Sequence, residues 1–484
     1  MKEFFHPEVV LIMRKTKIVC TLGPASASEA VMEEMLRSGM NVARFNFSHG
    51  THESHEEMID RFRRVRDRLG VPAAVLLDTK GPEIRLGEVE NGSAEVQTGS
   101  DFTLTSRAVS GGSTICSISY AALPSELKEG DSVLIDDGRV HLLVKDTTDT
   151  DIHCCVVSGG KIATRKGVNV PGVHLSMPYL SEKDKSDLLF GIKHDVDFIA
   201  ASFVRTAKDV IDMRKFLNYN GGHTIRIIAK IENEEGVDHF DEILENCDGI
   251  MIARGDMGVE IAYERLPGLQ KRFIRRCYQA GKRGITATQM LESMIVSPSP
   301  TRAEITDVAN AVFDGTSAVM LSGESASGKY PVQAVRAMSR IAKQAEHDAM
   351  TLDIYAAIPQ DMDASDTTNA ICDAACTTAR DVGAKAILTV TMTGRSARGM
   401  SKFRPVAPIV AATPDTKTYH QLSLSWGVYP VLALKQSTTE DLCRHAVDCA
   451  RNIDAVDKGE LVVITAGAPR DVSGSTNLLR VQSV

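Results

Sequence analysis

Short apolar runs that stop abruptly at glycine or polar residues recur along the chain and cluster in two parts of it. Eight of them are Lys17–Thr21, Asn41–Phe45, Ala73–Leu77, Asp197–Ala201, Ile225–Lys230, Gly249–Ala253, Gly284–Ala287 and Ser317–Leu321, each rich in Val, Ile, Leu, Ala or Met. Continuous apolar runs of this length suit strands covered on both faces, as in a parallel sheet. Most are separated by segments of helical period, among them Ser28–Arg37, Glu53–Leu69, Glu182–Lys193, Lys208–Phe216, Leu269–Ala280 and Arg302–Phe313. Eight alternating strand and helix units predict a closed (β/α)8 TIM barrel.

Between Leu77 and Asp197 the pattern changes to alternating, Thr/Ser/Val-rich segments punctuated by Gly and Asp. Strands are expected at Ala94–Gln97, Asp101–Leu104, Ser132–Ile135, His141–Val144 and Ile152–Val157, with turns at Asn91–Gly92, Gly111–Gly112 and Asp137–Gly138. This all-β insertion follows the third barrel strand, so it should emerge at the face where barrel chemistry happens and act as a lid. A helical stretch from Pro331 to about Ala349 closes the barrel, and the irregular Leu352–Asp366 marks a boundary. Beyond it come strands Ala386–Val390, Ile409–Ala411, Gly427–Leu432 and Glu460–Thr465, with a longer helix Thr438–Asn452, the pattern of an open α/β domain. The expected division is 1–80 and 178–350 for the barrel, 81–177 for an inserted β-barrel lid, and 351–484 for a C-terminal α/β regulatory domain.

Composition narrows the function classes. At 484 residues, 43% hydrophobic and 24% charged, the chain reads as globular, and a net charge of -8 spread along it signals neither a nucleic-acid face nor an acidic tail. The apolar stretch Val9–Met13 is flanked by Glu3, Arg14 and Lys15 and is too short for an export signal or a membrane span, so a cytoplasmic protein is expected. Ten cysteines without a CxxC pair or a His/Cys cluster point to reduced thiols rather than disulfides or zinc. Cys372 and Cys376 are read as small buried hydrophobes, and Cys154 and Cys155 as neighbours on opposite faces of a strand.

In a barrel, residues just past each strand converge on one mouth. Here these are Arg44, Asn46, Ser48 and His49; Asp78, Thr79, Lys80, Glu83 and Arg85; Ser202, Phe203 and Arg205; Lys230, Glu232 and Asn233; Arg254, Gly255 and Asp256; Thr288, Gln289 and Glu292; and Ser322 and Glu324. Glu232 and Asp256 on adjacent strands suit Mg2+ or Mn2+, which take oxygen ligands and keep positions open for substrate. The arginines and Lys230 suit phosphate. Gly255 and Gly258 bracket Asp256 in a stretch where backbone N–H groups could approach an anion, although a plain turn has the same composition. Gly323 to Lys329 fits the first seven positions of a P-loop but fails at the eighth, where Tyr330 replaces the metal-binding hydroxyl and Pro331 follows, so it is read as an ordinary loop.

The strings that carry these residues are Asn41–Gly50 (NVARFNFSHG), Leu77–Arg85 (LDTKGPEIR), Ala229–Asn233 (AKIEN), Ala253–Asp256 (ARGD) and Ala287–Met294 (ATQMLESM). With Lys166–Asn169 and Met320–Glu324 they resemble the pyruvate kinase family, over a span from about Lys15 to the end. The resemblance implies transfer of the phosphoryl group of phosphoenolpyruvate to ADP, giving pyruvate and ATP in the last step of glycolysis. It implies that Glu232 and Asp256 hold the divalent metal, that Lys230 and Arg44 meet the phosphoryl group, and that Gly255, Asp256 and Thr288 grip the substrate carboxylate. Asn46, Ser48, Asp78 and Thr79 are implied around K+, with Glu83 going with dependence on that ion. Pro24, His49, Arg85 and Lys166 fall on the nucleotide side.

Protonation of the enolate is assigned to the region of Thr288, with water relayed through Ser322 and Glu324. Ser327 stands where many relatives carry lysine, which puts the nucleotide contact of nearby Lys329 in doubt. In the C-terminal domain Thr391, Thr393 and Ser396 form a loop that in relatives holds a sugar-phosphate effector, beside Gly474–Asn477, though an N-capped helix uses the same residue types. A homotetramer is implied as well. Two rival readings are a class I aldolase with Lys230 as its Schiff-base lysine and a sugar-phosphate sensor with an inactive barrel; neighbouring carboxylates speak against the first and the full set of mouth residues against the second.

Overall fold

A computed structural model describes residues 13–355, 366–436, 438–467 and 476–484. Its centre is a closed barrel of eight parallel strands in sequential order: Lys17–Thr21, Val42–Asn46, Ala74–Asp78, Phe198–Ala201, Arg226–Ile231, Gly249–Ala253, Arg283–Ala287 and Ala318–Leu321. The last pairs back onto the first, with Lys17 opposite Ala318. Successive side chains go to different cores, as the two-residue period of a strand requires. Val19, Val42, Leu76, Phe198, Ile228, Met251, Ile285 and Met320 fill the barrel interior, while Ile18, Ala43, Val75, Ile199, Ile227, Ile250 and Val319 face the surrounding helices. The helices start where capping chemistry allows: Ser28 accepts from Val31 N, Thr301 and Glu304 form a reciprocal box, and the first two helices end at Gly39 and Gly70 with φ of 117° and 65°.

The lid follows the third strand. Ser93–Val96, Asp101–Thr105, Ser132–Ile135, Val140–Thr147 and Asp151–Ser158 correspond to the expected strands, lengthened or shifted by a few residues. Four more were not foreseen: Ile84–Arg85, Ile115–Ser117, Gly160–Ala163 and Gly167–Asn169. Seven of these form one curled sheet whose two edges meet, Gly87 N donating to Ser117 O at 2.7 Å and Ser119 N to Arg85 O at 2.9 Å. The ribbon of Gly160–Ala163 with Ser93–Val96 is separate.

The C-terminal domain has a five-stranded sheet in the spatial order Val428–Leu432, Ile409–Thr413, Ala386–Val390, Leu461–Ala466, Leu478–Ser483. The final strand runs antiparallel and was not expected. This domain caps the barrel floor: Leu424, fully buried, joins the interior cluster, and Gly427 N donates to Lys15 O at 2.9 Å. All but Met13 of the Val9–Met13 stretch, most of Leu352–Asp366, and Gly474 and Ser475 lie outside the described residues. Cys372 and Cys376 are buried free thiols, and Cys154 is buried where Cys155 is half-buried. No described helix is long and apolar enough to cross a membrane.

Candidate active site at the barrel mouth

The ends of the second to fifth strands converge as expected. Pairing in register sets Asn46 opposite Asp78. The Asp78 carboxylate accepts from Arg44 Nε at 2.6 Å and from Lys230 Nζ at 3.1 Å. Arg44 also donates to Thr21 Oγ1 at 2.8 Å. Lys230 Nζ donates to Ser202 Oγ at 2.8 Å and lies 3.0 Å from Glu232 Oε1. That carboxylate's other oxygen accepts from Phe203 N at 2.6 Å, whereas Oε1 is buried and lacks a hydrogen bond of acceptable geometry among the described residues. Burial works against the Lys230 charge, but Asp78 and Glu232 outweigh it and hold the ammonium above its ordinary range. Burial and neighbouring Asp256 push the Glu232 carboxyl up to about 8 against the pull of Lys230. A lysine held protonated in this way is the opposite of an imine-forming one.

Ser202 and Phe203 were seen in the sequence only as mouth residues without a task. Ser202 Oγ, which donates to Thr79 O at 2.6 Å, ties the third, fourth and fifth strand ends together. Its place directly after an apolar run was the signal available. Gly81 makes this approach possible: at φ +74° its absent Cβ would meet Ser202 Cβ at 2.9 Å.

On the other side of the mouth, Asp256 lies in the first turn of the short helix Arg254–Glu260. Gly255 N donates to Thr288 Oγ1 at 2.7 Å, and that hydroxyl donates to Ala287 O at 2.6 Å. Thr288 and Gln289 hold φ of +67° and +53°, a costly conformation, most of all for the β-branched Thr288. Arg254 pins this turn, donating to Thr288 O at 2.7 Å while paired to Asp307 at 2.7 Å, a task the sequence did not reveal. Glu324 is buried, accepts from Leu291 N at 3.0 Å and Ser322 N at 2.7 Å, and its carboxyl is raised by burial.

Between mouth and lid lies a cavity of about 490 Å³. His49, Arg85, Lys166 and Asp256 line it, while Lys230 and Glu232 do not, and neither does Pro24, which sits in the short turn Pro24–Ser26. Arg85 is paired to Glu83 at 2.6 Å and Lys166 to Asp136 at 2.7 Å. Asn46 Oδ1 accepts from Ser48 N at 3.2 Å, and Thr79 Oγ1 donates to Ala200 O at 3.3 Å. Among the described residues no three His, Cys, Asp or Glu side chains converge to cage a metal. An ion held by Glu232 and Asp256 would therefore draw its remaining ligands from substrate and water.

In the C-terminal loop the Thr391 and Ser396 hydroxyls serve the fold: Gly394 N donates to Thr391 Oγ1 at 3.0 Å, and Ser396 Oγ lies 2.9 Å from Thr389 Oγ1 within the buried core. The Thr393 side chain is exposed.

A buried layer of paired charge beneath a wide cavity lined by both acidic and basic side chains, under a lid, suits a barrel enzyme of the phosphoryl-transfer class. Residues 13–335 match the family description "Pyruvate kinase, barrel domain", and residues 369–482 match "Pyruvate kinase, alpha/beta domain". The chain belongs to the pyruvate kinase family. It is 48% identical over 473 residues to the pyruvate kinase of Clostridium acetobutylicum, covering 98% of this chain and 100% of that one. It is 46% identical over 477 residues to that of Clostridium perfringens, with 98% and 100% covered. Against the pyruvate kinase of Geobacillus stearothermophilus it is 47% identical over 473 residues, with 97% and 80% covered.

Proposed function

We propose that the chain carries out its family's reaction, moving the phosphoryl group of phosphoenolpyruvate to ADP to give pyruvate and ATP, at the mouth around Lys230. The observation that carries this reading is the Lys230 ammonium held among Asp78, Glu232 and Ser202. There it meets charge on the moving phosphoryl group in a place shielded from water. Arg44, fixed by Asp78 and Thr21, turns the rest of its guanidinium to the substrate phosphate. Thr288 and the N–H groups of Gly255 and Asp256 take the substrate carboxylate, which displaces the Thr288 hydroxyl from Gly255 N.

Glu232 and Asp256 fit a divalent Mg2+ or Mn2+, since their donors are hard oxygens and Glu232 Oε1 is a buried acceptor engaged among the described residues only by the ion pair with Lys230 at 3.0 Å. Such an ion, when bound, supplies Lewis-acid stabilisation of enolate and carboxylate oxygens. Asn46, Ser48, Asp78 and Thr79 are assigned to K+, supported by the pairing of the second and third strand ends. His49, Arg85 and Lys166 in the cavity, with Pro24 nearby in the first loop, are assigned to the nucleotide. The enolate left by transfer takes a proton at carbon beside Thr288, from water relayed through Ser322 and Glu324.

The same reading sets domain limits at 80/81, 177/178 and 350/351, a homotetramer in the cytoplasm, and an effector at Thr391, Thr393 and Ser396. A coupled assay for pyruvate from phosphoenolpyruvate and ADP tests it: activity with divalent metal and none without is expected, and no activity with either Mg2+ or Mn2+ overturns it. Full activity in buffer free of K+ and Na+ would remove the monovalent site.

A further inference from the structure

The lid hangs from the barrel by two arms, one leaving after the third strand and one returning ahead of the helix Glu182–Lys193. The returning arm is fastened repeatedly: Arg205 donates to the carbonyls of Leu175 and Met177, both at 2.9 Å, and the buried Tyr179 hydroxyl donates to Ser202 O at 3.1 Å. The outgoing arm is held far more sparsely. From Lys80 to Ile84 its backbone makes one hydrogen bond to the barrel among the described residues, Gly81 N to Asp184 Oδ1 at 3.0 Å.

Asp184 meets both arms. It is 1% exposed, and its second oxygen accepts from Ser181 N at 3.1 Å and from Ser181 Oγ at 2.5 Å. Part of this is ordinary helix capping, since Ser181 and Asp184 form a reciprocal box at the helix start. Such a box needs neither a carboxylate nor two oxygens: Thr51 and Ser54 make one at the start of the helix His52–Leu69 with hydroxyls alone. The oxygen that capping leaves over at Asp184 is the one that takes Gly81, 103 residues earlier in the chain.

The position of Gly81 gives that bond its consequence. At φ +74° the residue turns the chain against Ser202, and directly after it Pro82, Glu83, Ile84 and Arg85 line the large cavity. Ile84 and Arg85 are also an edge of the lid sheet, paired with Val168 and Gly167, and Leu86 N donates to Lys166 O at 2.8 Å. A shift at Gly81 therefore moves Arg85 and, through this pairing, Lys166.

We propose that Asp184 is a positioning residue for ADP: by tying Gly81 to Ser181 it closes the base of the lid and fixes the outgoing arm, so that Arg85 and Lys166 stay over the cavity. Asp184 itself is not among the residues that line the cavity, and it acts through the arm. The proposal rests on the assignment of the nucleotide to that cavity.

The test compares variants of the full chain by steady-state kinetics and by hydrogen exchange. Asp184→Ser keeps the cap, as Ser54 does, but is too short to reach Gly81 N. Its KM for ADP should rise about fivefold, with kcat and the KM for phosphoenolpyruvate within about twofold of wild type. Asp184→Asn, whose amide oxygen still accepts from Gly81 N, should stay within about twofold in all three. Ser181→Ala weakens the helix cap alone, so its Tm should fall while its KM for ADP stays put. The Gly81 amide should exchange faster in Asp184→Ser and not in the other two, a readout that needs no nucleotide. Should Asp184→Ser not fold, Asp184→Glu takes its place with the same outcome expected, since a glutamate completes the box at Glu304 and the longer side chain carries its second oxygen away from Gly81. A KM for ADP that is unmoved in the variant without the Gly81 bond, raised equally in Ser181→Ala, or not recovered in Asp184→Asn overturns the positioning role. Wild-type turnover is measured first: its absence strikes the reading of the cavity and this proposal with it, whereas normal wild-type kinetics with an unmoved KM in the variant strikes the proposal alone.

Discussion

Asn169 of the lid donates its side-chain amide to Glu260 beside the barrel mouth over 2.8 Å, a direct bond between the two walls of the large cavity. Burial raises the Glu260 carboxyl and this bond works against that rise. Asn169→Ala removes it, at a cost of about 1 kcal/mol to the closed lid. The KM for ADP should rise about fivefold while kcat stays within about twofold, as steady-state kinetics at saturating phosphoenolpyruvate would read.

Lys230→Met deletes the buried ammonium and leaves Asp78 and Glu232 without the cation they share. A fall in kcat of about 10³ is expected, on the scale of losing a preorganised electrostatic group. Lys230→Arg should not restore it, because a planar fork does not fit where a compact ammonium meets Asp78, Glu232 and Ser202. Single-turnover rates, with folding checked by circular dichroism, decide the point.

Ser202→Ala removes the hydroxyl that links Lys230 to Thr79 and leaves only the direct Lys230 bond to Asp78. A loss of about 1 to 2 kcal/mol in unfolding free energy is expected, since buried partners are left unmet. A roughly tenfold drop in kcat with little change in KM should accompany it, because the ammonium is displaced rather than removed.

His420 carries the acid sensitivity of the contact between barrel and C-terminal domain. Burial, then the nearby charges of Arg66, Lys417 and Arg63, push its pKa from 6.5 down to about 3. The folded protein holds it neutral, whereas the unfolded chain binds a proton below 6.5. Its contribution is thus complete above pH 6.5 and is lost as pH falls from there towards 3, by about 1.4 kcal/mol per unit. Urea unfolding across pH 5 to 7 should show this slope in the difference between the wild type and His420→Gln, in which the contributions of the other titrating groups, Glu232 among them, cancel.

What could be read in the sequence followed length and burial. Lys17–Thr21 and Gly249–Ala253 are buried at every position, and such runs announce themselves. Ile84–Arg85 and Gly167–Asn169 are too short to establish a period of two, and Leu478–Ser483 is a half-exposed edge strand, so neither kind stood out. The mouth residues were legible because barrel topology gathers strand ends whatever lies between them. The bonds among them were not, since Ser202 reads as any small polar residue until the strands close. The contact between barrel floor and C-terminal domain was invisible for a related reason: Lys15 and Gly427 belong to different domains, and no local pattern says that they meet.

Leu424 reaches up from the C-terminal domain into the dry interior of the barrel, among Val19, Phe198, Met251 and Met320. A barrel finished by a side chain borrowed from elsewhere is not an autonomous folding unit. Cutting the polypeptide after the last barrel helix would leave a greasy well open to solvent, and the shortened chain would clump or remain loose. Inheritance of catalysis and inheritance of the distal domain are therefore coupled by packing alone, whether or not any effector ever binds there.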